Sequence, residues 1–512
     1  MRPSDLGLPP KFEEFRPHQL EVAAKVANDT HYAFLLEAAT GTGKTIISAT
    51  SQKLMNSRAV HLVDTKQLQD QILSDFPEAR TLKGRSSYVC LKYPNSFPSI
   101  SAELCTNSRE TPCDYTSQCP YKVAKRAALS APLAVLNIAY FLTESNYVGS
   151  FADAGYLIAD ECDQVEDELM SFIQLVVTAR QLERLSLSTP KYKTKFESWI
   201  EWANDTIKRV DHQVKDLEQQ SFEWGGSDIK VLRQLKIAQS FLSKLKVFVR
   251  EVDSTWVWYP GEDKWIFKPT WVSKYADGVL WKHATKVLGM SATILDPKQV
   301  CSNIGLHGTW AFLSLPSPFP IENRPIFYTP CANVTNRALN TALPKIAKGV
   351  EAIMNRYPNE RILCHTVSYN VRNYLLDNLP KKRLITHSTR DRTDVLEKFK
   401  NSKDPLVLLS PSMERGVDLP DDQCRVVIIA KIPWPDVGDP QISRRLYGSK
   451  DGRRWYSHKT VSTVIQASGR AMRSAADHCH TYILDEQFSK LLYESRSMFP
   501  SWWIKAIRRA SD

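Results

Sequence analysis

The feature that most constrains this chain is an eight-residue loop. Ala38-Ala39-Thr40-Gly41-Thr42-Gly43-Lys44-Thr45 follows a short apolar run, Ala33–Leu36, and precedes a helical run, Ile46–Leu54. Strand, glycine-containing turn and helix in that order make a phosphate-binding loop. Gly41 and Gly43 let the backbone curl so that successive N–H groups face one anion, and the helix start adds its positive dipole end. Lys44 reaches the β- and γ-phosphates, and Thr45 offers its hydroxyl to Mg²⁺. Ala38 stands where the strict pattern has glycine.

The surroundings agree with an α/β fold. Apolar runs followed by amphipathic stretches recur from Tyr32 to Glu161 and from Arg361 to Asp485, the pattern of parallel strands with crossover helices. The first block predicts buried strands at Ala33–Leu36, Ala59–Val63, Leu133–Leu136 and Tyr156–Ala159. The second predicts Ile362–Cys364, Leu406–Leu409, Val426–Ile429 and Thr481–Leu484. Between the blocks, Val165–Asp253 reads as helical, Trp256–Lys268 as a hairpin around Pro260-Gly261, and the proline-rich stretch Leu313–Thr329 as a linker. With 512 residues the chain suits two to four domains. At 43% hydrophobic and 24% charged it has an ordinary soluble composition, which excludes collagen, wholesale disorder and a membrane protein. The amino terminus lacks the apolar core of a secretory signal, so a cytoplasmic protein is expected. A net charge of +11 favours a polyanionic partner.

Further residues carry chemistry. Asp160-Glu161 ends the Tyr156–Ala159 strand, about 115 residues after Lys44. There an aspartate holds Mg²⁺ and the next carboxylate polarises the attacking water. In Gln466-Ala467-Ser468-Gly469-Arg470-Ala471-Met472-Arg473, Arg470 and Arg473 share a helix face and suit a spread phosphoryl charge. Gly416-Val417-Asp418 forms a second small polar loop after a strand. Cys90, Cys105, Cys113 and Cys119 stand in a polar insertion without periodicity. Four thiolates suit a 4Fe–4S cluster and also structural zinc, although no closely spaced Cys pair of the zinc type occurs.

In order, these stretches resemble the motifs of superfamily 2 helicases, and within them the XPD/DinG-like group. Arg16-Pro17-His18-Gln19 resembles the adenine-reading motif, and the phosphate loop resembles motif I. Asp64-Thr65-Lys66 resembles motif Ia, Asp160-Glu161-Cys162-Asp163 the DEAH-type box, and Ser291-Ala292-Thr293 motif III. His365–Tyr369 is similar to motif IV, Glu414–Asp418 to motif V and Gln466–Arg473 to motif VI, while Ser317-Pro318-Phe319 repeats family-like wording. Cys162-Asp163 departs from the usual Ala-His, and Arg415 from the common Glu. The short arch and the short stretch after Arg473 look like a compact phage- or virus-encoded member.

The resemblance implies two RecA-like motor domains with ATP and Mg²⁺ clamped between them. Domain 1 would comprise 1–80, 126–164 and 275–312, with an iron–sulfur insertion at 81–125 and a helical arch at 165–274; 313–329 would link it to domain 2 at 330–512. Lys44, Glu161, Gln466, Arg470 and Arg473 are the expected catalytic set. Arg16, Gln19, Thr40, Gly41, Thr42, Gly43, Thr45, Asp160, Gly416 and Asp418 would hold the nucleotide and its Mg²⁺. The position of the four cysteines between motifs Ia and II implies the 4Fe–4S cluster rather than zinc. Thr65, Ser368 and Ser412 would touch the phosphates of single-stranded DNA, with Lys122, Lys125 and Arg126 adding attraction. The implied activity is a monomeric ATP-dependent DNA helicase moving 5′ to 3′ into duplex junctions. A strand-remodelling ATPase on DNA or RNA, and a binding module with a decayed motor, are the alternatives.

Overall fold

Short apolar runs become parallel strands when both their faces are covered. In chain order the strands are β1 (Ala33–Ala38), β2 (Ala59–Val63), β3 (Arg80–Leu82), β4 (Leu133–Asn137), β5 (Gly155–Ala159), β6 (Leu175–Thr178), β7 (Trp256–Tyr259) and β8 (Lys264–Pro269). They continue as β9 (Ala284–Ser291), β10 (Trp310–Leu315), β11 (Ile326–Ala332), β12 (Ile362–His365), β13 (Leu384–Thr386), β14 (Val407–Ser410), β15 (Val426–Ile429), β16 (His480–Asp485) and β17 (Ile507–Arg509). The computed structural model describes residues 1–39, 41–93, 100–105, 112–223, 228–413, 419, 421–469 and 477–509.

Two seven-stranded sheets organise the chain, in the orders β10-β1-β9-β5-β2-β4-β3 and β13-β14-β12-β15-β16-β11-β17. Their pairings are parallel. Each thus forms an α/β lobe with its strand carboxyl ends on one edge, where such sheets hold ligands. β10 and β11 take up both ends of the expected linker 313–329, so residues 316–325 join the lobes. Apolar residues at both ends of that stretch hid its strands behind the prolines.

The region expected to be helical holds one exception. β6 pairs antiparallel with β8, and β8 with β7, in a small third sheet. Four residues between two helices are too few to show a period of two. The long helices Phe196–Glu223 and Ile229–Glu251 form a hairpin beside this sheet. Leu232, Leu235, Phe241, Leu242, Leu245 and Phe248 are its buried stripe. At its base Trp199 meets Trp265 and Phe267 with ring centroids 5.0 and 5.4 Å apart. Each such pair adds about 0.5–1.5 kcal/mol beyond the area it buries.

The four-cysteine insertion leaves the first sheet after β3 and returns through the helix Pro120–Ser130, which Cys119 precedes. Tyr88 packs edge-on against Tyr121 at 5.7 Å. The Tyr121 and Tyr140 hydroxyls lie 2.9 Å apart, and Lys125 pairs with buried Glu144. A polar bolt therefore fixes the return helix to the lobe. Among the described residues no helix is long and apolar enough to cross a membrane.

Candidate functional site

The phosphate loop runs from the end of β1 into the helix Lys44–Met55. Gly41 and Gly43 have φ of +85° and +80°, a region that L side chains rarely adopt. The loop is held from outside by the segment expected to read adenine. Arg16 Nη1 donates to the Gly41 carbonyl at 2.8 Å, and Gln19 Nε2 donates to the Thr42 carbonyl at 2.8 Å. Both side chains thus tie the amino-terminal segment to the backbone of the loop. Thr40 lies outside the described residues.

Asp160 and Glu161 follow β5, as the sequence suggested, and Lys44 Nζ lies 3.4 Å from Glu161 Oε1. Burial penalises the Lys44 ammonium, yet Glu161 and Asp160 beside it raise its pKa above the lysine norm. Asp160 is pushed up by burial, against the pull of Lys44, and Asp64 and Asp163 push it further. Several carboxylates thus crowd round a single lysine. That surplus of negative charge, with the Thr45 hydroxyl at the helix start, fits the donor set of Mg²⁺.

The departure from the family box has its own geometry. Asp163, 8% exposed, accepts from Ser291 Oγ at 2.7 Å, Thr293 Oγ1 at 3.3 Å and Gln466 Nε2 at 3.4 Å. Gln466 Nε2 also reaches Thr293 Oγ1 at 2.7 Å, and Ser462 Oγ lies 3.1 Å from the same oxygen. Ser291 Oγ is 3.3 Å from Glu161 Oε2 as well. A carboxylate is acceptor-only, so Asp163 can gather hydroxyl and amide donors from both lobes at once. The box, motif III and Gln466 therefore form one network beside Glu161. Cys162 is buried against Gly289 of β9, where any added Cβ would meet its sulfur at 3.3 Å.

Two residues of this site had a weaker signal in the sequence. Phe319, in the connector, packs on the phosphate loop so closely that a Cβ on Gly41 would come within 2.3 Å of its ring. Its other neighbours belong to the core of the second lobe. Buried Glu37 of β1 accepts from Leu295 N and Ser314 Oγ, which fixes the turn after motif III. A lone acid inside an apolar strand was the sign that could have singled it out.

Thr65, Ser368 and Ser412 stand just beyond the carboxyl ends of β2, β12 and β14. The Thr65 and Ser368 hydroxyls cap helices, accepting from Leu68 N and Val371 N; Ser412 is exposed. Gly416, Asp418, Arg470 and Arg473 lie outside the described residues. Cys90, Cys105, Cys113 and Cys119 are half-buried and are in no disulfide among the described residues. Burial raises the Cys90 thiol pKa, and Cys105, Cys113 and Cys119 are near enough to raise it further. Among the described residues no group of three or more His, Cys, Asp or Glu is arranged to hold a single metal ion.

Comparison with known proteins adds relatives. A family described as a helicase C-terminal domain matches residues 350–506, and one described as the res subunit of type III restriction enzymes matches residues 12–189. The ATP-dependent DNA helicase YoaA of Haemophilus influenzae is 22% identical over 594 aligned positions, covering 92% of this chain and 91% of its own length. YoaA of Escherichia coli is also 22% identical, covering 93% and 92%. A solved XPD helicase superposes with a TM-score of 0.68 at 14% identity, over 97% of this chain and 100% of its own. Xpd4 of S. tokodaii superposes with a TM-score of 0.60 at 16% identity, over 96% and 100%.

Proposed function

We propose that this chain, which belongs to the XPD/DinG/YoaA-like family of superfamily 2 helicases, is an ATP-dependent DNA helicase that steps 5′ to 3′ along one strand and unwinds the duplex ahead. One observation carries the reading: Gln466 of the second lobe reaches Asp163 and Thr293 of the first, beside Lys44 and Glu161. A triphosphate between Lys44 and the second lobe would make lobe closure depend on the nucleotide.

In that scheme Lys44 leaves Glu161 for the β- and γ-phosphates, and Glu161 becomes free to orient the attacking water. Thr45 and Asp160 would hold Mg²⁺, which supplies charge neutralisation to the transferring phosphoryl group. Arg470 and Arg473 would meet that charge from the second lobe. Loss of the γ-phosphate releases the closed state, and alternating grip on a strand becomes a step. The expected test result is displacement of a strand from a 5′-tailed DNA duplex, dependent on ATP and on Lys44. Hydrolysis without displacement on either tail polarity would instead favour a strand-remodelling ATPase.

The four cysteines support a 4Fe–4S cluster as the insertion's organising group. They converge on one region of a segment with little regular structure, and a cluster needs thiolates spread around a volume rather than meeting at a point. Ligation would supply folding free energy that this polar segment lacks. Its proposed role is a rigid wedge where duplex and single strand part. Protein purified without oxygen should be brown, and Cys113→Ser should bleach the colour and loosen the insertion to protease. A colourless wild type that carries zinc would overturn the cluster. DNA junctions are the proposed partners, the motor is proposed to act as a monomer, and a host cytoplasm or nucleus is its proposed place.

A further inference from the structure

A second polar contact between the lobes surrounds one arginine. Arg445 lies on the helix Pro440–Gly448 of the second lobe and is 5% exposed. Its Nη1 is 2.6 Å from Glu166 Oε1, and its Nε donates to the Thr270 carbonyl at 2.6 Å. Trp271 and Trp455 lie against it, their ring centroids 4.5 and 4.9 Å from the guanidinium carbon and their planes at 83° to one another. Glu166, Thr270 and Trp271 belong to the first lobe. A guanidinium meets all three demands: a cation against aromatic rings, a charge for a buried carboxylate, and a second donor for a carbonyl.

The place of Glu166 gives this contact its meaning. Glu166 is in the first turn of the helix Val165–Ile173, three residues after Asp163. Asp163 is tied to Gln466, near the end of the helix Gly452–Ser468, while Trp455, near its start, covers Arg445. The segment after the box is therefore fastened to the second lobe at several points, the Lys459–Asp167 pair at 3.4 Å among them. One fastening would let it swivel; several fix its orientation. The ion pair is desolvated, with side chains 6% and 2% exposed. Parting it would leave a bare buried charge, so it holds while the lobes move.

We infer that Arg445 is a positioning residue for ATP hydrolysis: acting through Glu166, it makes the box segment follow the second lobe, so that nucleic acid held by that lobe is felt at Glu161. This deepens the helicase reading and rests on it. The experiment compares full-length wild type, Arg445→Met, Arg445→Lys and Glu166→Gln in ATP turnover with and without an oligothymidine single strand. For all three variants the DNA-free rate and the KM for ATP should stay within about twofold of wild type, while the DNA-stimulated rate falls about tenfold or more. Lysine should not rescue, because an ammonium lacks the forked donors that meet Glu166 and the Thr270 carbonyl at once. A fall of both rates by one common factor would reduce Arg445 to a packing residue, and intact stimulation would remove it from the coupling path. Should Arg445→Met not fold, the isosteric Glu166→Gln decides by the same two outcomes. A wild type that single strands do not stimulate would fail the helicase reading itself, and the inference with it.

Discussion

Glu161→Gln is expected to lower ATP turnover by roughly 10²–10⁴-fold, the range for loss of a positioned general base. The substitution keeps the size of the side chain and its contact with Ser291 Oγ, now at 3.3 Å. It removes the basic carboxylate that stands 3.4 Å from Lys44 Nζ. ATP binding should survive, because the phosphate cradle is built from loop N–H groups and Lys44. A neutral partner even releases Lys44 from its ion pair with residue 161. Binding of a fluorescent ATP analogue beside steady-state hydrolysis separates the two effects. Turnover close to wild type would assign the water to another group.

Arg473→Ala should cost still more, roughly 10³–10⁵-fold in turnover if it acts as an arginine finger. Gln466, seven residues upstream, contacts Asp163 and Thr293 across the cleft. The helix is anchored again at its last residue, Ser468, whose hydroxyl receives Trp503 Nε1 at 2.9 Å. Trp503 is buried against Phe499 and Phe488, so the aromatics after β16 brace the end of this helix. A finger acts on the transition state, and KM for ATP should therefore change much less than kcat. Equal losses in binding and turnover would recast Arg473 as a nucleotide-holding residue.

Parts of the candidate site carry local signals in the sequence. Gly41, Gly43 and Lys44 announced themselves because a phosphate cradle needs those residue types at that spacing. The strand ahead of Asp160 was visible as a fully apolar run. Asp163 was legible only as a departure from a pattern. Its role emerges from Ser291, Thr293 and Gln466, which lie far apart in sequence and meet only in the fold. β3, β6 and β17 are three or four residues long, shorter than any period can reveal. Arg445 had no local mark at all, since its meaning depends on a tryptophan and an acid supplied by another lobe.

Both insertions begin and end on strands of the first sheet, and the second sheet carries neither. All accessory hardware consequently rides on one side of the machine. If the lobes alternate their hold, the cutting edge advances only in the half-cycle when its own side is free to slide. The bare lobe then serves as an anchor, and the length of each stride is set by how far that anchor can swing.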